Sequence, residues 1–352
     1  MADLLTLTAS LVDIPSVSLN EEAITDHLEA LLKPVPWLET VRVGNNIVAR
    51  THLGRDLRLL LAGHTDTVPP NGNERAVVEG DVLWGIGSAD MKAGDAVLLD
   101  LATTIAEPVV DVSYVFYQCE ELAGSIHNGI EQMFQQRHDL LEADAVILAE
   151  PTGGGVEAGC QGIFTAEVIV RGLASHTARG WLGRNAIHGL GGVLTRLAAY
   201  ESRRVIIDGC EFIEGIQAVG VSGGIAHNVV PDRATLIVNH RFAPDRDYEG
   251  AEAQLRDVVG EVSSFRVIDK IPPAPPGLNH PLLRSLLTLS GDAPRAKLGW
   301  TDVARFAGRG YAATNFGPGD PKLAHTVEER VTREELEHAH GVLRALLQGE
   351  GA

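Results

Sequence analysis

Five short polar clusters stand where apolar stretches run out: His64-Thr65-Asp66, Asp90, Glu120-Glu121, Glu150 and His325. Carboxylates and imidazoles at the edge of a core are costly unless they find partners. Two histidines and three or four carboxylates, with no thiolate among them, make an oxygen-and-nitrogen ligand set for two divalent cations. In an extended segment residues i and i+2 point the same way, so Asp66 can reach the ring nitrogen of His64 that faces away from a metal and fix its tautomer. Asp90 lies in Gly85-Ile86-Gly87-Ser88-Ala89-Asp90-Met91-Lys92, a tight glycine turn before a helix, where one carboxylate can bridge two ions. Taken alone, it suits a helix N-cap better. Glu120 and Glu121 repel each other unless one holds metal and the other serves as a general base. Taken alone, the pair also suits the start of a helix, Glu150 a solvated strand end and His325 an ordinary loop. Five such signals, in order and at strand ends, favour one di-metal centre.

These residues need a scaffold that brings distant strand ends together. Leu57–Ala62 runs apolar into His64, Val112–Tyr117 precedes Glu120, and Ala145–Ala149 precedes Glu150; all three read as buried strands. Val41–Arg50 reads as one more strand and Met91–Ala106 as a helix. Ser18-Leu19-Asn20-Glu21 reads as a capping box opening a helix whose Ile24, Leu28, Leu31 and Leu32 share a face. This alternation predicts an α/β layer with a mostly parallel sheet, which binds ligands beyond the carboxyl ends of its strands. The texture changes at Pro151–Gly162, a stretch with five glycines. Phe164–Val170, Asn185–Tyr200, Gln217–Val221, Ala234–Asn239, Tyr248–Val259 and Phe265–Ile271 then follow in the order β-α-β-β-α-β, the ferredoxin-like α+β motif. It ends in Pro272-Pro273-Ala274-Pro275-Pro276, a stiff hinge. The α/β pattern resumes with helix Pro281–Leu289, strand Tyr311–Phe316 and a capping box at Thr332-Arg333-Glu334-Glu335. The expected organisation is a discontinuous catalytic domain, residues 1–162 and 277–352, with residues 163–276 inserted as a second domain.

The chain has 352 residues, 45% of them hydrophobic, enough for a large core and two domains. Its 29 lysines and arginines against 47 aspartates and glutamates give a formal charge of −18, which argues against nucleic acid or an anionic membrane as partner. No window approaches the roughly 18 apolar residues of a membrane span, and the first residues carry no basic signal-peptide region. Cys119, Cys160 and Cys210 are odd in number and widely spaced, unlike a disulfide framework or a thiolate zinc knot. The expected compartment is the cytoplasm.

The series His64-Thr65-Asp66, Asp90-Met91-Lys92-Ala93-Gly94, Glu120-Glu121, Ala149-Glu150-Pro151-Thr152, Gly317-Pro318-Gly319-Asp320 and Ala324-His325 resembles the di-zinc amidohydrolases related to aminoacylase and glutamate carboxypeptidase. Three further segments, Glu157–Gly162, Gly299–Phe306 and Asn315–Asp320, are similar to the actinobacterial succinyl-diaminopimelate desuccinylase branch of that family. The resemblance implies two zinc ions per subunit, with cobalt or manganese able to substitute. His64 and Glu150 would hold one ion and Glu121 and His325 the other. Asp90 would bridge them, Asp66 would orient His64, and Glu120 would act as base and then acid. The inserted domain would form a homodimer and a lid. His176 in Ala174-Ser175-His176-Thr177-Ala178 would reach the other subunit's site; Asn228, Arg241 and Thr301 would contact a small N-acyl amino-acid substrate. The implied reaction is hydrolysis of N-succinyl-LL-2,6-diaminopimelate in lysine and cell-wall precursor synthesis. Two departures stand out. Cys119 occupies a position that is commonly aspartate, and Cys160-Gln161 occupies that of a paired arginine, which leaves Arg179 as the candidate cation for a terminal carboxylate. The same scaffold also serves acetylornithine deacetylases, aminoacylases, carboxypeptidases and dipeptidases. A metal-free binding or scaffold dimer is the other alternative, and the intact ligand set counts against it.

Overall fold

Runs of leucine, valine and aromatic residues with no polar alternation need both faces covered. Arg58–His64, Asp111–Tyr117 and Ala145–Leu148 are such runs; they form strands that lie side by side in parallel. The computed structural model describes residues 3–122 and 126–350. In it the returning chain adds a further parallel strand, Ala312–Asn315, beside Ala145–Leu148. The sheet has eight strands in all. Glu39–Val43 and Asn46–Arg50 extend it antiparallel on one side, and Glu157–Ala158 with Arg295–Ala296 extend it on the other. The single strand expected over Val41–Arg50 is thus a hairpin. Gly44 takes φ +63° at its turn, a conformation that costs glycine little.

Alternate residues of the central strands feed two cores. Leu59 and Leu61 face Val97, Leu98 and Leu101 of helix Lys92–Thr104, in a core shared with helices Leu4–Val12, Pro281–Ser290 and Arg333–Leu347. Leu60 and Ala62 face Ile130 and Met133 of helix Gly129–Gln136 and Phe306 of helix Val303–Ala307. The last helix opens on the expected capping box: Glu335 N donates to Thr332 Oγ1 at 3.2 Å and Thr332 N to Glu335 Oε2 at 2.8 Å. The box expected at Ser18–Glu21 does not form. That helix runs Glu22–Leu32 with no side-chain cap, because Ser18 and Glu21 are engaged elsewhere.

Residues 162–271 build a second sheet. Strand Gly162–Arg171, helix Ala186–Ala198, strands Gly215–Gly223 and Arg233–Phe242, helix Tyr248–Val259 and strand Ser264–Ile271 follow in order. All pairings are antiparallel; counted along the chain, the strands lie second, third, first, fourth across the sheet. Ala234, Leu236, Val238 and Phe242 point inward against Leu190, Val193, Leu255 and Val259, a core separate from the other two. Two features tie this unit back to the first. Hairpin Arg204–Ile213 buries Cys210 and Phe212 in the core of the large sheet. The proline segment, expected as a hinge, is a paired crossing: buried Ala274 exchanges two backbone hydrogen bonds of 3.0 Å with Cys160. No helix among the described residues is long and apolar enough to cross a membrane.

Candidate metal centre

His64 ends the strand Arg58–His64 and is buried. Its Nε2 lies 3.0 Å from Asp90 Oδ1. Its Nδ1 lies 3.0 Å from the Asp66 main-chain oxygen and 3.6 Å from Asp66 Oδ1, so the carbonyl, not the carboxylate, is the nearer orienting group. The Asp66 carboxylate is busy elsewhere. It accepts from Ser18 Oγ at 2.7 Å and from the backbone nitrogens of Glu120 and Glu121 at 2.9 and 3.2 Å. One buried acid therefore clasps the turn that carries both paired glutamates. Glu329 does the same for Asp90: its Oε1 accepts from the nitrogens of Ala89 and Asp90, each at 3.0 Å. Gly94 and Gly317 press against the Ala149 backbone so closely that any Cβ would collide with it, which lets helix Lys92–Thr104 and the returning loop pack around Glu150.

Two ligand clusters result. Donor atoms of His64, Asp90 and Glu150 lie within 4.8 Å of one another, as do those of Asp90, Glu121 and His325. Asp90 belongs to both. His325 Nε2 stands 2.8 Å from Glu121 Oε1 and 3.6 Å from Asp90 Oδ2. Its φ of +63° is unusual for a residue with a side chain. Burial, with Asp90 beside it, pushes the Glu150 carboxyl up to about 7. Burial and the Glu150 and Asp302 carboxylates drive Glu120 well above the ordinary range. Hydrogen bonding to Glu121 lifts the half-buried His325 to about 9. Glu150 Oε1 is buried with no hydrogen-bond partner. An orphaned carboxylate oxygen inside an oxygen-and-nitrogen donor set rich in negative charge fits two divalent cations.

The centre opens into a cavity of about 520 Å³, lined by Asp90, Glu120, Glu121, Glu150 and His325 together with Glu157, Arg295, Lys297, Trp300, Thr301 and Lys322. Thr301 is buried in this wall, where its Oγ1 lies 2.9 Å from Asn315 Oδ1. Arg241 is not in the lining; it sits half-buried in the second sheet, with Nε donating to Asn239 Oδ1 at 3.3 Å. His176, Arg179 and Asn228 also lie outside it. They gather, exposed, at the tip of the second unit, where Ser175–His176 pairs with Val229–Val230 and Thr177 N donates to Asn228 O at 3.0 Å. His176 Nδ1 accepts from Ala178 N at 3.0 Å. Cys160 is a buried core residue, and Gln161 Nε2 donates to Ile213 O at 2.7 Å; neither is a cation for the substrate. Sequence reasoning missed Ser18, Glu329, Glu157, Arg295 and Lys297. The last two left a trace, cations at i and i+2 just before Gly299-Trp300-Thr301.

Parallel strands ending in two carboxylate–histidine clusters that share one aspartate, with an accessory unit carried on the same chain, define an α/β metallohydrolase. The model of peptidase family M20/M25/M40 matches residues 60–349, and the chain belongs to that family. A Mycobacterium tuberculosis protein that carries the provisional name succinyl-diaminopimelate desuccinylase is 49% identical over 349 residues, covering 99% of this chain and 98% of its own. The Corynebacterium glutamicum succinyl-diaminopimelate desuccinylase is 39% identical over 357 residues, covering 99% and 96%. Among solved structures, a Staphylococcus aureus tripeptidase superposes with a TM-score of 0.79 at 20% identity, covering 98% of this chain and 97% of its own.

Proposed function

We propose that the chain is a metal-dependent amidohydrolase that splits N-succinyl-LL-2,6-diaminopimelate into succinate and LL-2,6-diaminopimelate, a step of lysine and meso-diaminopimelate synthesis. The observation that carries the reaction is the shared Asp90 between two ligand clusters, with Glu120 beside them and in neither. The substrate rests on near full-length identity to the two desuccinylases. His64, Asp90 and Glu150 would hold one ion and Asp90, Glu121 and His325 the other; zinc is the ion we assign, with cobalt or manganese as substitutes. Two such ions supply Lewis acidity toward the amide carbonyl and a lowered pKa for the attacking water. Glu120, its carboxyl raised by burial, takes the proton of that water and returns it to the leaving nitrogen. Asp66 and Glu329 keep Glu120, Glu121 and Asp90 in register by their grip on the backbone.

The same reading makes residues 1–162 and 277–352 the catalytic domain and residues 163–276 a dimerisation and lid domain. Gly215–Gly223 is an edge strand whose Val219 and Val221 are largely exposed, with Ile225 just beyond it and Ile187 packed against Gly223. An unpaired apolar edge of this kind favours pairing with a second copy. His176 and Asn228 would then serve the partner's cavity. The decisive test is succinate release from N-succinyl-LL-diaminopimelate beside acetate release from acetylornithine, with metal analysis of the same sample. A preference for acetylornithine would move the chain to another amidohydrolase. Well under one metal per chain, with no activity gained on adding zinc, would make it a binding scaffold.

A further inference from the structure

The proposed substrate has a second end, remote from the succinyl amide, where one carbon carries both an ammonium and a carboxylate. The cavity wall holds a matching set of charges that belongs to neither ligand cluster, anchored on the carbonyls of Pro151 and Thr152 just after Glu150. Glu157 and Arg295 face each other across paired parallel strands. Glu157 Oε1 lies 4.0 Å from Arg295 Nε, and its Oε2 lies 3.2 Å from Lys297 Nζ. Lys297 is fixed in place: it is buried, and its Nζ donates to Pro151 O at 2.7 Å. Arg295 is anchored at one end only, Nη2 donating to Thr152 O at 2.7 Å, while its side chain stays 56% exposed. A guanidinium has five N–H donors, so most remain to meet a carboxylate. If these residues served only to pin two short strands, the Lys297–Glu157 pair would suffice. Arg295 adds a second cation to the same carboxylate, and all three side chains line the cavity. An acid and a guanidinium 4.0 Å apart can be engaged together by an ammonium and a carboxylate carried on a single carbon.

We propose that Glu157 and Arg295 form a subsite for an α-amino-acid head, Glu157 accepting from the ammonium and Arg295 donating to the carboxylate. Lys297 is a positioning residue that holds Glu157. The assignment rests on the function proposed above and names what selects the substrate's far end. Three succinyl amides separate the parts: N-succinyl-LL-diaminopimelate, N-succinyl-2-aminopimelate, which lacks the ammonium, and Nα-succinyl-lysine, which lacks the carboxylate. Glu157→Gln should lower kcat/KM about 10- to 100-fold for the first and third and less than about 3-fold for the second, the loss expected for a hydrogen bond to a charged group. Arg295→Met should lower the first and second by a similar factor and spare the third. Lys297→Met should follow the Glu157→Gln pattern, and Glu157→Asp should recover part of it. Because each variant is its own control across substrates, misfolding cannot mimic the crossed pattern. Losses that are equal for all three substrates overturn the subsite while leaving the desuccinylase reading intact. A wild-type enzyme that releases succinate from none of them overturns that reading, and the subsite with it.

Discussion

At the carboxyl ends of the large sheet, Asp90, Glu120, Glu121 and Glu150 crowd one cavity, and burial lifts Glu150 to about 7. At the tip of the second unit, His176, Arg179 and Asn228 stand in solvent beside Leu173, Trp181 and Leu182, which are 58%, 79% and 59% exposed. The first region carries more negative charge than its own histidines offset. The second carries more apolar surface than a solvated loop needs. Positive ions answer the first problem and a complementary surface answers the second, so the two regions call for different partners. The cavity is also built rigidly, with Asp66 clasping the backbone of Glu120 and Glu121 and Glu329 that of Asp90. The tip is held by a two-residue pairing and a few backbone bonds. On the proposed reading, chemistry that needs fixed geometry sits in the first, and a group that arrives with closure sits in the second.

The sharpest way to break this contrast is to remove the proposed proton carrier and leave both carboxylate–histidine clusters intact. Glu120→Gln should lower kcat by about 10³-fold, within the usual range for a general base, with the metal content of the chain unchanged. Loss of metal along with activity would mean that Glu120 is a ligand and not the base. His176→Ala tests the tip. Its expected loss is about 10²-fold, the scale of one oxyanion-stabilising donor. A mixed dimer of His176→Ala and Glu120→Gln chains should regain part of the activity, because one of its two cavities would combine an intact Glu120 with an intact partner histidine. No recovery would confine the chemistry to one chain. Val221→Asp places a charge on the exposed apolar edge. It should shift the sedimenting species toward monomer and reduce turnover about 10-fold at low protein concentration, since a buried interfacial charge costs several kcal/mol. A fully active monomer would uncouple the tip from catalysis.

Legibility in the sequence followed the range of each interaction. The strand ends were readable because apolar runs stop just before His64, Glu120 and Glu150, and parallel strands bring those stops to one edge. Thr332 and Glu335 were readable as a cap because the bonds they make are local. Ser18 and Glu21 carry the same local pattern and do something else: Ser18 reaches Asp66, 48 residues on, and Glu21 reaches Leu19 and Cys119. A cap and a long-range clasp are written with the same letters. Glu329 was invisible for a related reason, since its partners are backbone nitrogens some 240 residues away. Hairpin Arg204–Ile213 left no expectation because its alternation is short, and its buried Cys210 and Phe212 answer to a core formed by other segments.

The two units should also part company in acid, and here the smallest effect is the most specific. His240 lies buried inside the second unit, beside Phe242 and the Ala251 backbone. Burial holds its pKa down at about 4; Glu214 and the Ala251 backbone oppose this and Arg246 adds to it. A histidine that unfolds to an ordinary value near 6.5 binds more protons unfolded than folded between those two values. Its stabilising contribution is therefore complete above about pH 6.5 and is lost as pH falls toward 4. Between pH 7 and 4.5 the loss amounts to about 2 kcal/mol from this one group, an upper figure because the neighbours can relax. His240→Leu removes the titration and keeps an apolar side chain beside Phe242, whose ring centre is 5.8 Å away. Over the same interval its denaturation midpoint should fall less than that of the wild type. Acid also protonates the carboxylates and histidines of the cavity, but it does so equally in both proteins, so the difference between them isolates His240. Identical pH slopes would show that protonation of His240 takes no part in acid unfolding.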